Sequence, residues 1–254
     1  ATDEGHVCVP SRRLMEKSRE LLEIPSSILE EALNRLVSEG RLMRESISRD
    51  LNAAFEDDTA IYLRGYHIAE CQIAQRLLSL KAFSPLQRKI DLDASLQWLR
   101  EKLPFKLAPL QEEAVRQSLS DRVVVITGGP GTGKTTLILA ILAIYRRLGG
   151  QVCLGAPTGR AAKRLSESTH HPASTLHRLL EFSPQAGGFQ RNEQKPLSAV
   201  LVIVDESSML DTLLMHYLLK AVPTDATLVL VGDVDQLPSV GPGNILRDII
   251  ASDQ

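Results

Sequence analysis

Residues 123–136 read VVVITGGPGTGKTT, and this stretch decides the fold. The apolar run 123–127 leads into the pattern G-x-x-x-x-G-K-T, from Gly128 to Thr135. An apolar, helix-like run, Thr136–Leu148, comes directly after it. Strand, glycine loop and helix in that order form the setting in which such a loop cradles phosphate. Glycines let consecutive backbone N–H groups turn inward with no Cβ in the way. The start of the helix adds the positive end of its dipole. Gly128, Gly129, Pro130, Gly131, Thr132, Gly133, Lys134, Thr135 and Thr136 are the expected phosphate-binding residues. Lys134 is expected at the β- and γ-phosphates, and the Thr135 hydroxyl on Mg²⁺. Outside this setting the same glycines would be an ordinary turn.

The flanking sequence repeats the alternation. Strand-like runs at 123–127, 151–155, 199–204 and 227–231 are separated by helical patterns. That order predicts an α/β fold, a parallel sheet with crossover helices on both faces. LVIVDESSM (201–209) ends a strand in Asp205–Glu206, at the mouth of the sheet where ligands of such folds bind. Asp205 is the expected Mg²⁺ ligand, and Glu206 the group that orients and deprotonates the attacking water. Taken alone, paired acids after a strand could equally cap the next helix. GDVDQLPSVGPGN (232–244) comes after the next strand and brings Asp233 and Gln236 to the same edge. Gln236 is expected to hydrogen-bond a γ-phosphate and to lose that bond when the phosphate leaves.

APTGRAAKR (156–164) also ends a strand and opens a helix. Thr158, Gly159 and Arg160 could offer N–H groups and a cation to a phosphate. A helix cap with a solvated basic first turn accounts for the same residues. Residues 183–196 read as a surface loop or small hairpin, and His170–His171 as a turn before a helix. Met209 and Leu210 read as core.

Residues 1–80 read as a separate helical module, with 81–106 as a connector. Ser27 and Glu30 suit a capping box, with Ile28, Leu29, Ala32, Leu33, Leu36 and Val37 at helical spacing. Gly40 sits where a C′ glycine belongs. Strand-like RLMRE (41–45) and TAIYLR (59–64) flank a polar tip, and a helical run, Tyr66–Leu80, comes next. That order is winged-helix-like. Glu30, Glu31, Asn34 and Arg35 would occupy the exposed face of its second helix, which favours a scaffold over a DNA-reading role. One short helix is expected around Leu92–Leu103, with Trp98 anchoring the small module against the α/β part of the chain.

Net charge is -2, so no global basic field demands nucleic acid, although a local groove can still be basic. Aromatic content of 4% argues against a base-stacking platform as the main business. Cys8, Cys71 and Cys153 form no C-x-x-C, which disfavours a disulfide framework or zinc knuckle and suits a reducing cytoplasm. The longest apolar run, Leu137–Ile144, is far short of a membrane span. The chain begins ATDEGHV without Met, which suggests a piece of a longer protein.

LAPLQEEA (107–114), GGPGTGKTT, APTGRAA, STLHRLL (174–180), VDESSM and GDVDQLPSVGPGN occur in one order. Together they resemble the first motor domain of a superfamily 1 helicase, of the RecD-like group named for the alpha subunit of exodeoxyribonuclease V. The resemblance covers 107–254 closely and 1–106 loosely. It implies a RecA-like P-loop NTPase domain, the first of two. It also implies ATP and Mg²⁺ as cofactors, single-stranded DNA as partner, and 5′ to 3′ movement. Carried over, Gln111 matches the adenine-reading glutamine, Lys134 and Thr135 the P-loop pair, Asp205 and Glu206 the metal-and-base pair, and Gln236 the γ-phosphate sensor. Thr158, Arg160 and His177 match positions that touch the DNA backbone. The second RecA-like domain supplies arginines in that family, so this chain alone is expected to bind ATP but hydrolyse it weakly. A monomer, with nuclease-complex subunits as possible partners of the parent, is the expectation. A P-loop nucleotide switch acting on a protein partner is the alternative.

Overall fold

The computed structural model describes residues 2, 5–46, 59–82, 91–103, 106–236 and 239–252. The chain opens with β1 (Cys8–Pro10), α1 (Ser11–Leu22), α2 (Ser26–Ser38), β2 (Leu42–Ser46), β3 (Thr59–Leu63) and α3 (Arg64–Ala82). The three strands form an antiparallel sheet in the order β1-β3-β2, a wing with one strand more than the sequence predicted. The capping box at Ser27 and Glu30 is not formed. The helix begins at Ser26, two residues earlier than that box implies, with Pro25 at the N-cap position and no side chain capping it. Gly40 holds φ +68 and its N–H reaches the carbonyl of Val37, closing α2 as expected. Of the predicted apolar stripe only Leu29 and Leu33 are buried, and Glu30, Glu31, Asn34 and Arg35 are exposed. The wing tip at 55–58, Pro85, Pro104, Leu237 and Pro238 lie outside the described residues.

Next come α4 (Leu92–Lys102), α5 (Pro109–Ser120), β4 (Val123–Thr127), α6 (Lys134–Arg147), β5 (Val152–Ala156), α7 (Gly159–Thr169), β6 (Ala173–Thr175) and α8 (Leu176–Leu179). A short antiparallel hairpin, β7 (Phe182–Ser183) and β8 (Gly188–Phe189), occupies the expected loop region. β9 (Leu201–Val204), a 3₁₀ turn (Ser207–Met209), α9 (Thr212–Ala221), β10 (Thr227–Gly232) and α10 (Ile245–Ala251) complete the order. His170 and His171 precede the strand β6 rather than a helix.

β4, β10, β9, β5 and β6 form one sheet in that order, and every pairing in it is parallel. Alternate residues of each strand face opposite sides. Val202, Val204, Leu228 and Leu230 point to one face, against Met215 and Leu218 of α9. Leu201, Ile203, Val229, Val231, Val124 and Ile126 point to the other, against Ile138, Ile141 and Tyr145 of α6 and Val115 of α5. Both faces being covered, the strands need continuous apolar runs rather than alternating ones.

The N-terminal part is not packed as an independent unit. Ile73 and Leu80 of α3 belong to the same apolar cluster as α9. Arg76 donates to the carbonyls of Leu219 and Val222 at the end of α9. Trp98 lies under the Arg147 guanidinium, 4.7 Å from the ring centroid, and so ties α4 to α6 rather than to the winged part. Among the described residues, no helix is long and apolar enough to cross a membrane.

Candidate functional site

Because the five strands are parallel, their C-terminal ends share one edge. The order of loops along it is fixed by strand order. The glycine loop leaves β4, Asp233 comes after β10, Asp205 after β9, Thr158 after β5, and His177 after β6. The phosphate-type residues thus occupy one half of the edge, and the three nucleic-acid candidates the other.

The loop between β4 and α6 needs its glycines. Gly131 and Gly133 take φ +75 and +83, a region costly for any residue with a Cβ. At Gly133 a Cβ would also lie 2.5 Å from Gln111 Nε2. α6 begins at Lys134, two residues before the sequence pattern suggested. Its helical bonds start with Leu137 N–H donating to Gly133 O. The amides before it have no acceptor within the helix and are available to an anion. Lys134 Nζ donates to the carbonyls of Gly128 and Gly129. Thr132 Oγ1 donates to Gly129 O at 2.9 Å, tightening the loop. Thr135 and Thr136 sit half-buried in the first turn. Gln111 ties α5 to this loop, its Oε1 accepting from Ala108 N–H and its Nε2 donating to Thr132 O at 3.3 Å.

Asp205 is largely buried, with its N–H bonded to Gly155 O. Burial pushes its carboxyl above the usual carboxylate range, against the downward pull of the Glu206 N–H bond and of Arg164 and Lys134. Glu206 has φ 54, left-handed for a residue that is not glycine. Its Oε2 is buried without a hydrogen-bond partner. A buried acceptor held in a strained conformation at a sheet mouth is the geometry of a group kept for a ligand or water. Arg164, exposed on α7, is the cation that sequence reasoning missed. Its signal was present in APTGRAAKR, but only the fold brings it within electrostatic reach of Asp205.

In the loop after β10, Asp233 is 3% exposed. Its Oδ1 accepts from Asp235 N–H and its Oδ2 from Gln236 Nε2. The exposed Gln236 side chain is therefore held by a buried carboxylate. Gly232, just before, leaves no room for a Cβ, which would meet Leu246 at 2.6 Å and the amide of Ser208 at 3.1 Å. The end of β10 is thus packed closely against the 3₁₀ turn that comes after Asp205–Glu206.

The nucleic-acid candidates are placed less distinctively. Thr158 Oγ1 accepts from Ala161 N–H, so the hydroxyl caps α7, as the plainer alternative held. Arg160 is exposed in the first turn. His177 is exposed on α8, with ring centroids 5.6 Å from Phe182 and 5.4 Å from Phe189.

Residues 111–242 match the AAA domain family. The chain is similar to an ATP-dependent RecD2 DNA helicase of Deinococcus radiodurans, 38% identical over 244 residues, which cover 95% of this chain and 33% of that one. It is similar to the RecBCD enzyme subunit RecD of Mycobacterium tuberculosis, 38% identical over 217 residues, 76% of this chain and 36% of that one. Among solved structures it is similar to the Pif1 helicase from Candida albicans, with TM-score 0.42 and 26% identity over 53% of this chain and 34% of that one. The chain thus spans about a third of the length of these curated relatives. The matched residues make up more than half of the chain and contain the glycine loop, the acid pair and most of the sensor loop, and the chain belongs to the AAA domain family, as a relative of the RecD helicases.

Proposed function

We propose that this chain is the ATP-binding part of a DNA helicase of the RecD kind, in which Mg-ATP hydrolysis drives 5′ to 3′ movement on single-stranded DNA. The observation that carries the reading is the convergence of three loops at one sheet edge: Gly128–Thr135, Asp205–Glu206 and Asp233–Gln236. The matched relatives are an ATP-dependent DNA helicase and a RecBCD subunit, which supports the DNA assignment.

The donor set fits a small hard cation. Thr135 and Asp205 offer oxygens, and Mg²⁺ takes one or two protein ligands beside phosphate and water. Among the described residues, no cluster of three or more His, Cys, Asp or Glu side chains could hold a metal by itself, which suits that economy. When bound, the ion would neutralise charge on the phosphates. The chain's own groups do the remaining work. Loop amides and the start of α6 hold the phosphates. Lys134, which donates to the carbonyls of Gly128 and Gly129, would exchange them for β- and γ-phosphate oxygens. Glu206 orients the attacking water and accepts its proton through the unpartnered carboxylate oxygen. Gln236 would trade its bond to Asp233 for one to the γ-phosphate, and the tight packing of Gly232 beside the 3₁₀ turn after the acid pair would pass that change on. Residues 107–254 form the motor unit in this reading, 81–106 a connector, and 1–80 a scaffold docked through α3. In the RecD family arginines from a second domain complete the nucleotide site. An arginine of that kind contributes about 10³–10⁵ in kcat, so hydrolysis by this chain alone is expected to be weak.

The structural use of Thr158 and the ring contacts of His177 favour one competing reading, a nucleotide switch that acts on a protein. Affinity for a fluorescent single-stranded oligonucleotide, measured against salt with and without a non-hydrolysable ATP analogue, separates the two. The motor reading expects affinity that falls steeply with salt and changes with nucleotide. No measurable affinity at low salt would leave the switch.

A further inference from the structure

A polar cleft of about 350 Å³ lies between α3 and α9, on the face of the sheet opposite α6. Gln72, Gln75 and Ser79 of α3 form one wall, at the spacing of a single helix face. His216 and Lys220, one turn apart on α9, form the other. Glu193 stands exposed at the rim. Its loop is fixed, because Asn192 and Lys195 exchange backbone hydrogen bonds, and Arg191 and Lys195 both pair with Glu181. Arg76 donates through Nε and Nη2 to the carbonyls of Leu219 and Val222, at 3.3 and 2.8 Å. That anchors α3 and offsets the negative end of α9. Lys220 is half-buried, and among the described residues it makes no hydrogen bond or ion pair.

We propose that this cleft binds a phosphate group, as a site separate from the glycine loop. A half-buried ammonium without a partner is costly unless an anion meets it. His216, beside it, is held below the usual histidine range, by burial first and then by Lys220, with Glu193 pulling the other way. Glu193 is the one carboxylate among the described lining residues, so Arg76 and Lys220 outnumber it even with His216 neutral. The donors choose among anions. The Arg76 fork is engaged by backbone carbonyls, so it offers no planar, two-point seat to a carboxylate. What remains is a set of single donors from two helices: Lys220 Nζ, the Gln72 and Gln75 amides and the Ser79 hydroxyl. Donors converging from separate walls suit the tetrahedral oxygens of phosphate. A volume at the small end of ligand sites suits one phosphate and the group it esterifies. The place is distinct as well. α9 comes after β9 and before β10, which are parallel, so it runs back against them. Its last turn, with Lys220, therefore lies toward the sheet edge opposite the glycine loop.

Histidine ring resonances, read by NMR, test the proposal, with His216→Gln identifying the signal. Inorganic phosphate at millimolar concentration is expected to shift the His216 resonances and to move their titration to higher pH, since an anion favours the charged ring. Binding is tighter at lower pH, where His216 takes up its proton, with Arg76, Lys220 and Glu193 as the other charges facing it. Lys220→Gln removes the ammonium, and Gln75→Glu puts a carboxylate into the cleft from the exposed side of α3. Each is expected to weaken phosphate binding by roughly 10-fold or more, the scale of a charged hydrogen bond. Lys134→Ala is expected to leave the His216 response unchanged, so failure of the nucleotide site would not mimic failure here. A single-stranded oligonucleotide separates the sources. A His216 response to it at lower concentration than to phosphate assigns the group to a nucleic-acid backbone, and a response to phosphate alone assigns a free anion. No His216 response to either would overturn the proposal. So would an equal response to acetate at the same ionic strength, or a response that survives undiminished in both Lys220→Gln and Gln75→Glu.

Discussion

Glu206 combines a left-handed backbone, a buried carboxylate oxygen without a partner, and a position at the mouth of the sheet. Such a residue persists only where the surroundings hold it. Glu206→Gln keeps the shape and removes the base. The expected result is a kcat lower by about 10²–10⁴, with nucleotide affinity nearly unchanged. Comparable losses of affinity and kcat would make Glu206 a structural residue instead. Gln111 poses a second question, because both ends of its amide are already engaged, by Ala108 and by Thr132. If it reads adenine, Gln111→Ala lowers the preference for ATP over GTP in a competition assay. If it serves only as a strut, affinity for both nucleotides falls equally. At this scale the glycine loop and the acid pair were legible, because covalent spacing alone fixes them. The approach of Arg164 to Asp205 and the tether from Asp233 to Gln236 were not, since they depend on how loops from different strands meet.

Among the elements, the central strands were readable because burial on both faces demands unbroken apolar runs. β6 was not, because AST carries no pattern of its own and is a strand only through its pairing with β5. α1 was equally silent, having no buried residue. The interface of α3 was hidden too, and it carries a pH dependence. Glu70 on α3 is pushed up to about 7, by burial first and then by Asp248 of α10 and Glu45 of β2. An unfolded glutamate titrates near 4.3. The folded state therefore keeps a proton that the unfolded state has lost between those values. Its stabilising contribution is complete below about pH 4 and is lost as pH rises through about 7. Thermal melts should show Tm falling across that window, with a smaller fall in Glu70→Gln. The same slope in both proteins would rule out Glu70 as the source. The glycine loop offers a sharper test of element geometry. Gly133→Ala forces a Cβ into φ +83 and against Gln111. It is expected to cost about 1–2 kcal/mol in stability and to weaken nucleotide binding. A variant of unchanged Tm and affinity would show that the loop can relax away from this conformation.

For the molecule as a whole, one sheet edge carries the proposed nucleotide-binding loops at its β4, β10 and β9 end and the nucleic-acid candidates at its β5 and β6 end. Gly232, at the end of β10, has no room for a Cβ beside the 3₁₀ turn that comes after Asp205–Glu206, so the two loops leave the edge side by side. The central claim is that the glycine loop binds ATP for a motor whose catalysis this chain does not complete alone. The most direct test is ATP binding and turnover by the 254-residue chain, with and without single-stranded DNA, beside Lys134→Ala. The account predicts measurable binding that weakens roughly 10- to 100-fold in Lys134→Ala, the scale of a lost charged hydrogen bond, together with very slow turnover. Brisk DNA-stimulated turnover abolished by Lys134→Ala would keep the helicase chemistry and contradict the claim that catalysis is incomplete. Binding of equal strength in Lys134→Ala would contradict the site itself.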